Sequence, residues 1–562
     1  MATISEKLVR INNAKEDIQS ALDTPNEKIE EYGDLVSKYV QNQPTSTSTG
    51  ECDNALDVPC KEFDVLGNSI QDGTPTPDSP VLIQVVKGRN LLDSSTITSQ
   101  TKNGIVITRN NDGSLTLKGT ATATTDIRFA GGWSNTTPIM TMHAGETWRI
   151  INTASALTEG QFIVVNGSNH NVLLRSVTNN DDVRTVTQDT SIYDIYLHFD
   201  SGAVIDKTIY PMIYIGEATT YLPYNTIEIE QRGKNYLDYT SQYAYKESSS
   251  LLNGGTITIS GNSVIMDGTN ATASMTAKSD SFVFANCLIL PKGTYYTNVR
   301  INTYKVSDTS KLIQYGEGTF TITEPVYVKQ WYVTCAVGNK KTFSPQIESG
   351  TTATSYEPYQ EPHTYQIPLK ENYLAKVGNT RDKLVIGRNG KVKIEHNIEE
   401  LVLNGSESWF DIKMINVYAY YTLLTNVVAP TTSGGTSYGL CSHYTITAPD
   451  KNWKTAVGSN NFTINNSTTS NAYLRFTNGE ETDNISTFTT WLSTNKPIVY
   501  YQLSTPSEIE LDSIEPIELY SGTNIFSMDT GLNTDFEVEY IVNANEKITQ
   551  LEDTILELGG EI

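Results

Sequence analysis

The sequence predicts a mainly β protein of several domains. Short runs of strand-forming residues are separated by turn signals at intervals of about 8–12 residues, a pattern typical of β-sandwiches. The 32 tyrosines suit strands, because flat aromatic side chains pack well on a half-buried pleated surface. Two segments of the chain also occur twice, which indicates a duplicated module. At 562 residues the chain is too long for one hydrophobic core.

The first segment, 1–42, is predicted to be helical and to serve as an anchor or trimerisation segment. Pro25 ends the first helix, and a second, weaker helix is predicted across Ile29, Tyr32, Val36 and Tyr39. A helix this short is marginal alone, so its apolar seam needs a partner, which is a symmetry mate, a larger assembly or the first domain of the same chain. Steps of four and three residues, broken by Lys15, define the seam of the first helix: Ile4, Leu8, Ile11, Ile18 and Leu22.

Segment 43–87 is predicted to be a linker followed by a small β segment. Gln41 to Gly50 is polar and of low complexity, so it cannot bury a core. Two strand-like runs follow, Phe63 to Ile70 and Val81 to Val86. The proline-rich stretch between them predicts a fixed, extended loop.

Segments 88–232 and 233–370 are predicted to be two copies of one module. Gly88-Arg-Asn-Leu-Leu-Asp93 returns as Gly233-Lys-Asn-Tyr-Leu-Asp238, and the segment from Pro211 to Tyr224 returns as Pro345 to Tyr359. Each unit has ~130 residues of short strands, for which a jelly-roll sandwich fits best. Duplicated modules in one chain more often serve repeated binding or assembly than repeated catalysis.

A third β domain is predicted for 371–505. Leu384 to Ile394 reads as a hairpin with Arg-Asn-Gly at its turn, and Ile485 to Ser493 as a short helix before the strand Ile498 to Leu503. An acidic β segment, 506–542, follows. The last segment, 543–562, is predicted to be a second coiled-coil-like helix on the apolar positions Ile548, Leu551, Ile555 and Leu558.

Charge argues against a nucleic-acid partner. The net charge is −24, and from Pro506 onward 14 acidic residues face one basic residue, Lys547, which gives −13. The sequence contains no basic run that could release counterions from a phosphate backbone. Carboxylates at this density could attract Ca²⁺, but solvated surface charge is the simpler interpretation, and no metal site or cofactor is predicted.

Sequence motifs of catalysis are missing, so the chain is not predicted to be an enzyme. It lacks a Gly-x-Ser-x-Gly elbow, a His-Glu-x-x-His pair and a phosphate-binding Gly-rich loop. Glycoside hydrolysis needs only two carboxylates and stays open on this ground. An apolar run long enough to span a membrane and a signal peptide are also missing, so synthesis in a cytoplasm without membrane insertion is expected.

Loop aromatics are the better candidates for function. Sugars stack on Trp and Tyr, while their hydroxyls need amide and carboxylate partners. Trp133 and Trp453 lie in loop-like surroundings rich in Asn and Asp, where they either bind glycan or cap a sandwich core. The other tryptophans fall in strand or helix patterns and are predicted to be core: Trp148, Trp331, Trp409 and Trp491.

Several of these stretches resemble tail and minor structural proteins of phages and prophages of Firmicutes. The resemblance rests on Gly67 to Pro80, the two module starts, the module end Gly350 to Tyr359, and Tyr500-Tyr-Gln-Leu-Ser-Thr-Pro506. It is also visible in the opening Ile4 to Ile11 and in Val402 to Trp409.

The resemblance implies jelly-roll modules similar to carbohydrate-binding modules, a homotrimer, and a place on the tail tip, baseplate or a fibre of the virion. It supplies no catalytic residue. The expected function is therefore a tail fibre or receptor-binding component, joined to other virion proteins through its N-terminal segment and attached to host cell-surface polysaccharide. Three alternatives stay open: a capsid-attached head fibre or decoration protein, a baseplate spacer without ligand, and a cell-wall polysaccharide depolymerase.

Overall fold

A computed structural model describes most of the chain between residues 34 and 541. The described residues are 34–37, 41–42, 47–54, 60–71, 73–132, 134, 138–142, 144–152, 161–176, 182–216, 221–239, 243–247, 251–414, 417–428, 438–447, 460–466, 471–478 and 484–541.

Strands dominate these residues, as the sequence predicts. The first segment contributes β1 (Asp34–Ser37), β2 (Gln41–Asn42), β3 (Thr47–Asn54), β4 (Cys60–Leu66), β5 (Ser69–Gln71) and β6 (Ile83–Val85). The first module contains β7 (Gln100–Lys102), β8 (Ile105–Arg109), β9 (Leu115–Thr120), β10 (Thr125–Gly131), β11 (Met140–Met142), β12 (Thr147–Asn152), β13 (Gln161–Asn166), β14 (Val172–Arg175), β15 (Asp182–Thr185), β16 (Thr190–Ile192), β17 (Asp194–Phe199), β18 (Val204–Ile209) and β19 (Pro211–Ile215). Next, β20 (Thr226–Gly233) leads to the second module.

The second module contains β21 (Thr256–Ser260), β22 (Ser263–Asp267), β23 (Met275–Lys278), β24 (Leu288–Leu290), β25 (Gly293–Thr297), β26 (Arg300–Lys305), β27 (Leu312–Tyr315), β28 (Gly318–Ile322), β29 (Val326–Cys335), β30 (Lys340–Phe343) and β31 (Ile347–Ser349). The chain continues through β32 (His363–Pro368), β33 (Lys376–Val377), β34 (Thr380–Arg381), β35 (Lys383–Gly387), β36 (Val392–Val402), β37 (Phe410–Met414), β38 (Val417–Thr425), β39 (Gly439–Cys441), β40 (Thr445–Ile446), β41 (Asn461–Asn466), β42 (Asn471–Asn478), helix α1 (Ile485–Asn495), β43 (Ile498–Glu510), β44 (Gly522–Asp529) and β45 (Asp535–Ile541). Single 3₁₀ turns lie at Ser94–Thr96, Ser168–His170 and Phe284–Asn286.

A central sandwich is assembled from distant parts of the chain. One sheet has the order β1-β45-β4-β35-β36-β43-β39, and the other has the order β2-β3-β44-β20-β32. Their inner faces share one hydrophobic core, in which the ring of Phe63 on β4 lies 5.1 Å from that of Phe526 on β44. Strands of segments 43–87 and 506–542 thus pair with each other and with strands that precede and follow the second module. The sequence-based division into consecutive domains did not predict a domain assembled from such distant segments.

Three bodies are inserted into this sandwich, each with its own core. The first module lies between β6 and β20, the second between β20 and β32, and a third body between β36 and β43. The third body packs the five-stranded sheet β37-β38-β42-β41-β40 against α1, with the ring of Tyr420 stacked on that of Phe488 at 4.1 Å. The predicted helix at Ile485 is confirmed, and Asn484 caps it by accepting a hydrogen bond from the Thr487 N–H.

Strand pairing follows the same pattern in the two predicted modules. In the first module β9 pairs with β8 and β18, β13 with β14 and β17, and β12 with β15 and β19. In the second module β22 pairs with β21 and β30, β26 with β27 and β29, and β25 with β28 and β31. The long strand β29 corresponds to β16 and β17 joined into one strand. It pairs with β24 and β23, as β16 pairs with β11 and β17 with β10. The two segments therefore share one topology.

A buried asparagine explains the repeated Gly-x-Asn-x-Leu-Asp segments. Asn90 donates to the carbonyl of Leu222 at 2.8 Å and accepts from the Leu92 N–H at 2.9 Å. Asn235 donates to the carbonyls of Pro345 and Glu357, both at 3.3 Å, and accepts from two backbone N–H groups. In each module the start of the chain is thereby bonded to the Pro-to-Tyr segment at its end. We call this arrangement the module clasp.

The N-terminal predictions need correction. The second predicted helix includes Val36, yet Asp34–Ser37 is strand β1, which pairs antiparallel with β45. The predicted linker contains β2 and the first residues of β3, which pairs along its whole length with β44. Backbone pairing to an existing sheet needs no apolar side chain, so composition did not reveal it. The seam positions of both terminal helices lie outside the described residues.

Candidate functional site

The residues singled out from the sequence for binding are not placed by the structure. Trp133, Trp453 and every seam position from Ile4 to Leu22 and from Ile548 to Leu558 lie outside the described residues. The core predictions are confirmed for Trp148, Trp331 and Trp409, which are buried, and Trp491 packs partly buried against the core of the third body.

The best candidate site lies instead on the outer face of one sheet of the second module. This sheet has the order β23-β29-β26-β27, with β24 added along β29. Alternate residues of its strands point inward, and Ile301, Val328 and Trp331 are fully buried. The other set of alternate residues is partly or fully exposed, and a register shift between β26 and β29 adds both Lys329 and Gln330 to it. We call this outer surface the open face, defined by Lys278, Arg300, Asn302, Tyr304, Gln314, Tyr327, Lys329, Gln330 and Tyr332.

Three amide side chains form a ladder across the open face. Gln314 Nε2 donates to Asn302 Oδ1 at 2.9 Å, and Asn302 Nδ2 donates to Gln330 Oε1 at 3.3 Å. Gln330 Nε2 in turn donates to the Ser279 carbonyl at 2.7 Å. Because each amide is held by its neighbour, the row is ordered, and an ordered row would lower the entropy cost of binding a ligand.

One end of the open face is covered by an aromatic cluster. Phe284, on a 3₁₀ turn, lies 5.3 Å from the ring of Tyr304 and 5.2 Å from that of Tyr327. The ammonium group of Lys329 lies 4.3 Å from the centroid of the Phe284 ring, a cation–π contact.

The other end of the open face is a cleft. It has a volume of about 430 Å³ and is lined by Arg300, Gln314, Tyr315, Gly316, Glu317 and Tyr332, and we call it the Tyr332 cleft. The guanidinium of Arg300 lies 5.9 Å from the centroid of the Tyr332 ring. Lys341 donates to both carboxylate oxygens of Glu317 at 3.0 Å, which fixes that side chain on the rim.

Tyr315 forms part of the cleft wall and is tied to the core. Its ring stacks on Phe320 at 4.5 Å, and burial raises the pKa of its hydroxyl, so that group is neutral at ordinary pH. The cleft thus combines an aromatic ring, a guanidinium, an amide and a carboxylate around one concavity, which is the chemistry that a sugar ring with its hydroxyls requires.

The corresponding face of the first module is closed. Tyr196 takes the place of Tyr332, because Tyr196 pairs with Arg128 as Tyr332 pairs with Lys278. Yet Tyr196 is only 8% exposed, and Arg128 forms an ion pair with buried Asp194 at 3.2 Å.

The same face of the first module carries a histidine held by two carboxylates. His198 Nδ1 lies 2.6 Å from Asp126 and Nε2 lies 3.1 Å from Asp200, while the ring stacks on Phe162 at 4.6 Å. Arg175 covers the Phe162 ring at 3.6 Å. The charged groups are therefore matched within the protein, and the aromatic rings are covered.

A larger cleft, of about 610 Å³, lies where the second module joins the central sandwich. Its polar groups bond to one another: His363 Nε2 lies 2.6 Å from Glu515, and the Tyr520 hydroxyl donates to the Glu361 carbonyl at 2.7 Å. On its floor, the Tyr365 hydroxyl donates to Gln231 Oε1 at 3.2 Å. These bonds connect β32 to the segment before β44, so the cleft is a structural joint between module and sandwich.

Comparison with known proteins gives no family to which the chain can be assigned. No protein-family model, curated protein or solved structure matches it. Within the described parts of the chain, no helix has the length and apolar composition that a membrane crossing requires. Within the same parts, no group of three or more His, Cys, Asp or Glu side chains is placed to hold a metal ion.

Sequence reasoning missed the open face because its residues are dispersed. Arg300, Gln314 and Tyr332 lie on three strands and meet only after β26 pairs with both β27 and β29. One signal was present in the sequence of β29, Val-Tyr-Val-Lys-Gln-Trp-Tyr-Val-Thr-Cys. Its apolar positions are interspersed with tyrosine, lysine and glutamine, which predicts a strand with a polar outer face as well as a core face.

Proposed function

We propose that this chain is a bacteriophage virion structural protein, a trimeric tail fibre or receptor-binding component that attaches to host cell-surface glycan. The observation that carries the binding part is the Tyr332 cleft, beside an ordered row of amides. The virion assignment draws on the sequence resemblance to tail and minor structural proteins of phages and prophages of Firmicutes. In this proposal the chain has no catalytic role.

We infer further that the two duplicated modules are jelly-roll sandwiches similar to carbohydrate-binding modules. Support comes from their shared strand order and from separate cores enclosed by opposed sheets. One sheet can form a core on its inner face and a binding surface on its outer face, because successive residues of a strand point to opposite faces.

Trimer formation would raise the apparent affinity for a polysaccharide even if each sugar contact is weak. Individual glycan sites of this size bind weakly, but several sites on one particle raise the effective affinity by orders of magnitude. Mass measurement of the purified full chain in solution tests the trimer, and a monomer at micromolar concentration would contradict it.

Binding is tested with the full chain on an array of wall polysaccharides purified from candidate hosts. The variant Tyr332→Ala removes the stacking ring and is expected to weaken binding about tenfold, since an aromatic contact is worth about 1 kcal/mol or more. Tyr332→Phe keeps the ring and is expected to keep most of the affinity. The matched control is Tyr296→Ala, which removes a partly exposed tyrosine from β25, on the other sheet of the same module.

Equal loss of binding in Tyr296→Ala and Tyr332→Ala would place the site elsewhere. Failure of the unmodified chain to bind any host polysaccharide would favour the spacer. Imaging of the intact virion distinguishes a tail location from a head fibre, and release of oligosaccharides from a bound polysaccharide would establish a depolymerase.

A further inference from the structure

The sheet that carries the open face differs in charge from the rest of the chain. The sequences of β23, β24, β26, β27 and β29 contain no aspartate or glutamate. They contain the basic residues Lys278, Arg300, Lys305 and Lys329. In a chain with a net charge of −24, a sheet with only positive charges is an exception that calls for an explanation.

Two of these cations are at least partly exposed and have no described carboxylate oxygen within 4.0 Å. Lys305 forms an ion pair with Glu324. Among the described residues, however, Arg300 and Lys329 form no ion pair. Arg300 lies over the ring of Tyr332, and Lys329 lies over the rings of Phe284 and Tyr304. They are three positions apart in register along β29, or about 10 Å at ~3.3 Å per residue. The open face therefore presents separated positive charges on an aromatic and amide surface.

The first module has the same strand order but carries both positive and negative residues on the corresponding sheet, so the topology does not require a positively charged sheet. Its corresponding strands, β10, β13, β14 and β17, carry Asp126 and Asp194 as well as Arg128 and Arg175. In the first module Arg128 forms an ion pair with Asp194. Gln330 occupies the equivalent position in the second module, because Asp194 pairs with Asn166 as Gln330 pairs with Asn302.

We propose that the open face of the second module binds an anionic polysaccharide. Arg300 and Lys329 contact the acidic groups, phosphodiester or carboxylate, while Tyr332 and the amide ladder contact the sugar rings. The inference rests on the proposed glycan-binding function and names the ligand class for one of its two modules. The first module, with its matched charges and covered rings, does not share this ligand.

A polysaccharide fits the open face better than a nucleic acid, which also combines negative charge with flat rings. Nucleic-acid sites use several cations to follow a phosphate at every nucleotide, and their affinity comes mainly from that track. Here the cations are few and the groups between them are neutral amides, so the open face does not follow a closely spaced series of phosphates.

The test measures binding of the full chain to three immobilised polysaccharides: phosphomannan, which carries phosphodiesters, polygalacturonate, which carries carboxylates, and neutral dextran. Single-stranded oligo(dT) serves as a fourth probe. The double variant Arg300→Gln/Lys329→Gln removes the two cations that have no ion pair among the described residues. Its matched control, Arg109→Gln/Lys118→Gln, makes the same charge change on exposed positions of β8 and β9 in the first module.

We expect the unmodified chain to bind at least one of the two anionic polysaccharides more tightly than dextran. Binding is expected to weaken as NaCl rises from about 50 mM to about 500 mM, because salt screens exposed charges. The double variant is expected to lose about tenfold in affinity or more, as two surface cations contribute roughly that much against an anionic polymer, and the control variant is expected to bind normally. Comparison of the two anionic polymers assigns phosphodiester or carboxylate.

Equal affinity of the double variant and the unmodified chain would overturn the inference, as would the absence of binding to both anionic polysaccharides. Tighter binding of oligo(dT) than of either would overturn it in favour of a nucleic-acid ligand. If Tyr332→Ala weakens binding to a neutral wall polysaccharide while the double variant does not, the glycan-binding function stands and only the anionic ligand is rejected.

Discussion

Replacement of Asn235 by alanine tests the module clasp. The side chain is 1% exposed, and its amide oxygen accepts from the N–H groups of Leu237 and Ile347 at 3.0 and 3.2 Å. Alanine leaves both donors buried without this acceptor, and each such donor costs about 1–3 kcal/mol. The carbonyls of Pro345 and Glu357 lose a donor as well. We expect the second module to lose about 3 kcal/mol of stability, which lowers its unfolding temperature by roughly 10 °C.

Local hydrogen exchange is the appropriate assay, because the modules have separate cores. Exchange of peptides from β26 and β29 is expected to accelerate roughly a hundredfold in Asn235→Ala, while peptides from β13 and β17 in the first module keep their protection. Asn90→Ala should show the reverse pattern. Asn270→Ala, at an exposed turn of the second module, is the control and should change little. Protection of β26 and β29 equal to that in the control would refute the clasp.

Two further predictions concern the other bodies. Asp382 is fully buried and accepts hydrogen bonds from the N–H groups of Ala375, Asn397 and Ile398 at 2.7–2.9 Å. Asp382→Ala should therefore lower the free energy of unfolding of the central sandwich by on the order of 4 kcal/mol in chemical denaturation. A loss under ~1 kcal/mol would contradict this role. Burial lowers the pKa of His443 to about 4, so the folded third body binds a proton less readily than the unfolded chain and loses stability as pH falls from above 6.5 toward 4. Hydrogen exchange of β43 measured at several pH values should show this loss, and His443→Gln should remove it; an unchanged acid response in the variant would contradict the assignment.

Local signals predicted the parts of the fold that depend on neighbouring residues. The hairpin from Leu384 to Ile394 is confirmed, with Leu384 opposite Ile394 and Gly390 at φ +75° in its turn. There, alternation of apolar residues and a turn that needs glycine act within a few residues, so sequence contains both causes. The duplication was predicted for a similar reason, because the clasp asparagines need the same neighbours in both modules.

Long-range pairing could not be predicted in the same way. Strand β3 is polar and follows a polar segment, yet it pairs with β44 more than 460 residues later in the chain, as Thr47 lies opposite Asp529. Backbone hydrogen bonds determine this pairing, and they leave no trace in residue type. The Tyr332 cleft was missed for the related reason that its aromatic, basic and amide groups come from different strands. Loop aromatics are easier to find in a sequence than outward-facing strand residues, whose neighbours are known only after the register is known.

The insertion of the modules into the central sandwich bears on how binding sites would act together. Both ends of the first module meet at one point, where the Gly88 N–H donates to Asn225 Oδ1 at 2.8 Å. Asn225 then donates to the carbonyls of Lys370 and Asn372, which follow the second module. A domain on a single flexible linker explores many orientations, and each binding event must restrict them again.

The exit of the second module is also bonded to the sandwich. Lys234 lies 2.7 Å from Glu357, which accepts from the Thr523 N–H at 2.9 Å at the start of β44. Burial disfavours the charged carboxylate of Glu357, yet the hydrogen bonds from Lys234 and Thr523 outweigh it and lower its pKa. A module held at both ends keeps its open face in one direction relative to the sandwich. In an oligomer the open faces would then have fixed spacing, so a long polymer could contact several of them without paying for their alignment, and a short oligosaccharide would gain nothing from the assembly.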